Sequence, residues 1–523
     1  VRDLEGWRLG EAVDSDSILR LTMLFALAAV VAIALNFRSG RLSQFYVAGR
    51  EIAPAANGAA IFASIVLPIA LMLGLQLEEG DALVLGLAAV LGLLVSAAIF
   101  APYLRSFGGY SLPDFLGERY GEAARIVALL LLVLCSLPLL VVALSSLAAL
   151  AATLFDLAPS SAIWIVAAFL VVCALFGGMR AVSFNQAALG VLFLAAALVA
   201  IAKIKWLGSG VQDHEAADAA VSTFSLRDGA DRIGSVVTIA AAAACFPHMV
   251  MHSFVTPTVR GARISFLWGA VFLALFSLVC ATEPEIFKSL LPGAASGLRV
   301  APLLFCALAA NLAIALGLLI AAANSLAHDL YFKTFDRMAT QSQQLLVLRA
   351  MLVIVAGAAA LIALIGDDFS DWAVGSLSLA AAAFFPALVL GLWWRRANQP
   401  GVIAGIAAAV ALALFYLLVP YYFPVAFYEA MHLLSGGPQD QWPHYLTLKQ
   451  AAHLADGYAK QAATDAWINE ARNFAKWGGV DRHYAALFAI PVGFVVAVVV
   501  SLCTARPGER VENFVGELGR VED

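Results

Sequence analysis

Residues 234–254 read GSVVTIAAAAACFPHMVMHSF, an apolar run long enough to cross a bilayer that carries a proline and two imidazoles near its end. In hydrocarbon every backbone N–H and C=O must find a partner within the protein. A proline is therefore tolerated there only where the freed carbonyl meets other groups or lines a cavity. Residues 53–75, APAANGAAIFASIVLPIALMLGL, repeat the pattern, with Pro68 about two-thirds of the way along, as Pro247 is. The two segments lie five apolar runs apart. That spacing predicts two five-helix halves, each headed by an interrupted helix, with the interruptions meeting at the midplane to hold solute and ion.

The rest of the chain agrees with a membrane setting. Of 523 residues 62% are hydrophobic and 13% charged, with a mean hydropathy of +0.89, where a soluble chain would be about 25% charged. We expect an all-α polytopic membrane protein whose principal partner is the lipid bilayer. At roughly 20 apolar residues per span, helices are predicted near 17–37, 53–77, 81–104, 124–155, 160–177, 183–206, 234–258, 262–282, 301–332, 345–365, 372–394, 399–420 and 484–504, about 13 in all. Alternate loops carry Arg38, Arg41 and Arg50, then Arg105, Arg119 and Arg125, Arg180, Arg260 and Arg263, Lys333, Arg337 and Arg349, and Arg395 and Arg396. The opposite loops hold Glu78, Glu79, Asp81, Asp156, Asp367, Asp368 and Asp371 and no lysine or arginine. The positive-inside bias puts the first set in the cytoplasm, the N-terminus outside, and the tail with Arg506, Arg510 and Arg520 inside.

This organisation divides the chain into four parts. Residues 1–40 form an external N-terminus and an extra first helix; 41–394 form the core, with repeats 53–206 and 234–394. Residues 395–504 add two peripheral helices around an external insertion at 425–482, and 505–523 are a cytoplasmic tail. The insertion opens with SGGPQDQWPHY and continues as an alanine-rich polar stretch of helical spacing, readable as a lid or as a spacer helix pair. Cysteines 135, 173, 245, 280, 306 and 503 fall in or beside apolar runs without CxxC spacing, so they read as small buried side chains. No basic, aromatic-interleaved patch speaks for nucleic acid. No nucleophile–base pair, phosphate loop or metal constellation speaks for an enzyme.

His248 and His252 stand four residues apart and share a helix face. A proton-sensing or solute-facing role, a metal pair, and a wet position at the membrane surface are all open to them. The surface position suits His252 better than His248. Pro113-Asp114-Phe115 reads as a turn with Asp114 as helix cap, and His328 and Asp329 as partners of nearby arginines, with a gating role the alternative reading at both places.

Four stretches, FYVAGREIAPAANGAAIFAS (45–64), APYLRSFGGYSLPDFLGERYG (101–121), FGGMRAVSFNQ (176–186) and FFPALVLGLWWRRANQPGVIAG (384–405), resemble the sodium:solute symporter family. FPHMVMHSFVTPTVRGARIS (246–265) and AANSLAHDLY (322–331) are similar to its acetate and short-chain monocarboxylate permease branch. The resemblance implies a LeuT-like inverted five-plus-five repeat and cation-coupled secondary transport of a small organic solute across the inner membrane of a bacterial-type cell. By family position the cation would meet the carbonyls of Ala63, Val66 and Ala310 and hydroxyls at 313 and 314, but this chain has Ala313 and Ile314. Where relatives carry a Ser-Ala-x-Ser type motif it has Leu67-Pro68-Ile69-Ala70. The sodium site thus reads as eroded, with Na+ or H+ left as the coupling ion and no other cofactor implied. Ser64, Pro68, Ala70, Phe246, Pro247 and His248 are the candidate solute site, with Ser64 and Asn311 as spare oxygens. The competing expectation is a non-transporting sensor or regulatory paralogue that binds the solute. The sequence names no protein partner.

Overall fold

The computed structural model describes residues 15–38, 40–76, 81–207, 226–280, 301–366, 369–435 and 441–508, with isolated positions at 511, 514 and 516. The N-terminal stretch 1–14, Glu78, Glu79, Asp367, Asp368, Arg510 and Arg520 lie outside the described residues. Every regular element among them is helical. In chain order these are α1 (Ser15–Asn36), α2 (Leu42–Val47), α3 (Pro54–Gln76), α4 (Ala82–Phe107), α5 (Leu112–Tyr120), α6 (Glu122–Phe155), α7 (Pro159–Leu175), α8 (Gly178–Leu207), α9 (Leu226–Cys245) and α10 (Pro247–Met251). The second half continues with α11 (Val259–Cys280), α12 (Ala301–Ser325), α13 (Gln341–Ala363) and α14 (Ser370–Trp393). The chain ends with α15 (Gln399–Tyr422), α16 (Pro424–Ser435), α17 (Trp442–Leu454), α18 (Tyr458–Phe474) and α19 (Ala486–Cys503).

Twelve helices among the described residues are long and apolar enough to cross a membrane. The thirteenth expected span, 160–177, is the 17-residue α7, which at 1.5 Å per residue reaches only about 25 Å. The two halves are α3, α4, α6, α7, α8 and α9–α10, α11, α12, α13, α14. Their packing is what a pseudo-two-fold exchange of halves requires. The contact of α3 with α11 is matched by α9 with α4, that of α3 with α8 by α9 with α14, and that of α8 with α12 by α6 with α14. The self-related pairs, α4 with α11, α6 with α12 and α7 with α13, also touch. Five crossings per half make the second half run opposite to the first.

Close backbone approach explains why these particular residues pack. A Cβ on Gly92 of α4 would overlap the Ala240 carbonyl of α9, and one on Gly58 of α3 would overlap Trp268 of α11. The two glycines serve the two symmetry-matched crossings, in a setting where association rests on van der Waals contact. The inner helices carry alanine runs, Ala241–Ala244 and Ala380–Ala383, all buried.

Beside this core, α15 and α19 pack on each other. The insertion is not a helix pair: α16, α17 and α18 enclose a small core of Tyr428, Tyr445 and Ala471. Lys476 just beyond α18 pairs with Asp231 at the start of α9 at 3.0 Å, so the insertion is anchored to the core.

Arg119 locks α5 to the far end of the second half. Its fully buried guanidinium donates to the carbonyls of Gly391 (2.9 Å), Trp394 (3.0 Å) and Ala397 (3.1 Å), closing the C-terminus of α14. A lysine ammonium cannot span three carbonyls in that fork geometry. Arg119→Lys is expected to lower stability by about 2 kcal/mol, read as a fall in melting temperature in detergent; an unchanged melt would remove this contact from the account.

Candidate functional site

Pro247 lacks the N–H that would reach the Ala243 carbonyl, and it drives the preceding residue into extended backbone. Phe246 accordingly adopts φ −59° and ψ 133°, ending α9 and starting α10. The expected second interruption does not form. Pro68 lies inside α3, which runs unbroken from Pro54 to Gln76, so only the second half opens its backbone. The two prolines' surroundings nevertheless meet: Pro68, Ile65, Ala243, Phe246, His248 and Leu377 line one cavity of about 20 Å³, room for a single water. Pro247 and Ala70 are buried beside it without lining it.

His248 is 3% exposed, its imidazole buried against the Ser64 backbone of α3. His252 is not wet at the surface. It is buried, and its Nδ1 lies 2.8 Å from Asn57 Oδ1 while Asn57 Nδ2 donates to the His252 carbonyl at 2.9 Å. That pair ties the first turn of α3 to the end of α10, joining the two symmetry-related heads by side chains.

Close to the residues that the resemblance assigned to a cation lies an amide the motifs did not announce. Gln186 on α8 donates through Nε2 to the Ala313 carbonyl (2.8 Å) and to Ser64 Oγ (3.0 Å), and Ser64 Oγ in turn donates to the Ala60 carbonyl (2.9 Å). One amide thus bridges α3 and α12. Ala63, Val66, Ala310, Ala313 and Ile314 surround it as fully buried side chains without hydroxyls. Asn311, the other spare oxygen, turns its amide to the Ala307 carbonyl of its own helix. A Cβ on Gly317 would lie 2.7 Å from Gln186 Nε2 and 3.7 Å from His248 Cδ2, so Gln186 and His248 flank the same glycine of α12. The signal for Gln186 was present as a lone amide inside an apolar span, yet periodicity could not say which helix it faced.

A second polar cluster lies at the arginine-rich end. Ser111 is the N-cap of α5, accepting from the Asp114 N–H at 3.0 Å; Asp114, expected as the cap, instead accepts from the Tyr110 N–H at 3.2 Å. Asp329 accepts from Ser111 Oγ at 2.5 Å, and His328 Nε2 lies 3.6 Å from Asp114 Oδ2, so these two do not pair with arginines. Lys333 Nζ stands 3.6 Å from Asp114 Oδ1. Burial by itself would raise the Asp114 pKa, but His328, Lys333 and the Tyr110 N–H outweigh it and hold the carboxyl below its ordinary range.

A profile of the sodium:solute symporter family matches residues 45–276 and 248–408. This chain belongs to that family. The symporter is 24% identical to an uncharacterized symporter of Cupriavidus necator, covering 97% of this chain and 95% of that one. It is also 24% identical to a monocarboxylic acid transporter of Corynebacterium glutamicum, over 75% of this chain and 82% of that one. Among solved structures, a Na+-coupled sialic acid symporter in a substrate-bound outward-open state superimposes with a TM-score of 0.66 at 13% identity, covering 93% of this chain and 98% of that chain. That likeness bears on the fold alone, and it fits the inverted-repeat packing described above.

Gln186→Leu keeps the side chain's bulk and removes both donated bonds, so it is expected to lower stability by about 1–2 kcal/mol. Equal melting of variant and parent in detergent would show that the amide is not bound where the structure puts it.

Proposed function

We propose that this symporter moves a short-chain monocarboxylate, with acetate as the first solute to test, and that protons replace sodium as its coupling ion. The observation that carries the ion choice is the Gln186 amide, which donates to Ala313 O and Ser64 Oγ. A dehydrated sodium ion needs several oxygens at ion radius. Here the Gln186 N–H lies beside the expected carbonyl ligands, bonded to Ala313 O and Ser64 Oγ, and the hydroxyls at 313 and 314 are missing. The tethered amide supplies partial positive charge where a cation would otherwise sit, holding α3 and α12 together without one.

The substrate class is supported by the relative named a monocarboxylic acid transporter and by the chemistry of the cleft. Among its lining residues there is no lysine or arginine. The group available to a carboxylate is the imidazole N–H of His248, which faces the cavity shared with Pro68. The 20 Å³ cavity admits a water and excludes a solute of several heavy atoms, so binding requires α9–α10 and α3 to part on one side, as alternating access demands. In this reading the arginine-rich end faces the cytoplasm of a bacterial-type cell, with the N-terminus outside and the C-terminus inside.

The same small cavity also suits a sensor that binds its solute without carrying it. Proteoliposomes loaded with separate sodium and pH gradients distinguish the readings. Radiolabelled acetate is expected to accumulate without sodium and to stop accumulating when the pH gradient is collapsed. Sodium-dependent, pH-indifferent accumulation would sink the coupling assignment, and binding without accumulation would select the sensor. His248→Phe is expected to leave the protein inserted while reducing uptake by about tenfold or more, the effect of one hydrogen bond to a charged group. Undiminished uptake would take the imidazole out of the site.

A further inference from the structure

The polar cluster at the arginine-rich end has no role in the solute chemistry above, yet it gathers three buried polar atoms that lack a hydrogen bond. Asp114 and Asp329 are 4% and 1% exposed, His328 3%. Asp114 Oδ1, Asp329 Oδ1 and His328 Nε2 are buried without a hydrogen-bond partner, and one ligand-competent atom from each residue lies within 4.8 Å of the others. Buried carboxylates left in that condition call for a further positive charge.

The surrounding charges say how much. Glu118 and Glu122 bind Arg125 at 3.3 and 2.6 Å, Lys333 reaches Glu118 at 3.2 Å, and Arg337 lies 3.8 Å from Glu122. Thr334 Oγ1 ties the α12 extension to Glu122 at 2.7 Å. Four carboxylates (Asp114, Glu118, Glu122, Asp329) therefore share this network with three permanent cations (Arg125, Lys333, Arg337). One more unit of positive charge brings it to neutrality. His328 packs edge-on against Tyr46 and Tyr110 and beside Phe332; Asp336, at the end of the same segment, is engaged separately by the Tyr331 hydroxyl. A divalent ion would add two charges to a space that already holds the Lys333 ammonium. A proton adds one and occupies no volume.

We propose that Asp114, His328 and Asp329 form a proton-binding site whose occupancy holds this end of the symporter closed. Ser111 and Asp114 belong to the first half and His328 and Asp329 to the second, so the site bridges elements from both. When the proton is bound, His328 Nε2–H can donate to Asp114 Oδ2 and the neutral network can stay dry. When it leaves, a net negative charge needs water, which favours separating α5 from the end of α12. A path for that water is already polar. Asn324 Oδ1 and Ser325 Oγ, one turn deeper on α12, and Ser183 and Asn185 on the contacting α8 are buried with polar atoms lacking partners. They lie between this cluster and Gln186 along the two helices.

The inference rests on the transport reading for its consequence. A symporter that releases solute and proton into the cytoplasm acidifies it, and protonation of this site then shuts the exit.

The test needs no solute. Ser325→Cys places a thiol in the buried turn above the site, and the exposed native Cys503 serves as the reference for thiol ionisation. In purified protein treated with a soluble maleimide, the ratio of labelling at position 325 to Cys503 is expected to rise with pH between about 5 and 8, by up to about tenfold per unit. Adding Asp329→Asn, a fixed mimic of the protonated acid, should hold the ratio low and flat. Should that variant fail to fold, Asp329→Ser, which also removes the titratable group, serves the same purpose.

A flat ratio in the Ser325→Cys protein, or an unchanged slope after Asp329→Asn, overturns the proposal. So does closure by added Zn2+ at alkaline pH that Asp329→Asn abolishes, which would make the ligand a metal ion. Either failure leaves proton-coupled uptake standing. Uptake indifferent to the pH gradient, alongside a pH-dependent ratio, rejects the coupling reading and keeps the site.

Discussion

The constraint on which this molecule depends is that a peptide group in hydrocarbon must be satisfied by protein. At Pro247 one hydrogen bond of a membrane helix is absent by covalent necessity, and the chain leaves the helical path at Phe246. Such a break survives because α9 and α10 are packed inside the bundle, against α4, α14 and α12, and not against lipid. The alanine run before the break and glycines such as Gly92 let the neighbouring backbones close over it. At Pro68 the same residue has a different outcome. Helical bonding resumes for another two turns to Gln76, and the interruption is absorbed without a change of path.

From that asymmetry the arrangement of polar groups follows. The opened backbone and the imidazole of His248 lie on the α9–α10 side, while the α3 side contributes Ser64 and the apolar flank of Pro68. Asn57 and His252 hold the two together. Gln186 cross-braces α3 to α12 through a neutral donor tethered to α8.

Charge distribution repeats the theme at the arginine-rich end. Buried charges there form a connected network in place of isolated pairs, with Arg119 committed wholly to backbone carbonyls and Arg125 to two glutamates. A network of this kind is stable when neutral and intolerant of an uncompensated charge, which makes it responsive to a single proton. The opposite end is built differently. The insertion has its own aromatic core and meets the bundle through Lys476 and Asp231, and through the Tyr416 hydroxyl, which donates to the Val480 carbonyl at 2.5 Å.

Hydropathy and proline spacing were enough to read the helices and the five-plus-five repeat, because each follows from what lipid permits along a single segment, while the family was legible only in the stretches that resemble it. The approach of Pro68 to Phe246 and His248 was readable for the same reason, since symmetry-related heads must meet. Three things were not readable: that only one head opens, that His252 turns inward to Asn57, and that Gln186 bridges α3 and α12. Nor could spacing show that Asp114 would face His328 and Asp329 across more than two hundred residues of chain. These depend on which face of each helix its neighbours cover, a rotation of a few tens of degrees that packing selects among helices hydrophobic nearly all the way round. In such helices no polar stripe marks the inward face. The partner of a buried polar side chain is therefore settled only when the helices are docked.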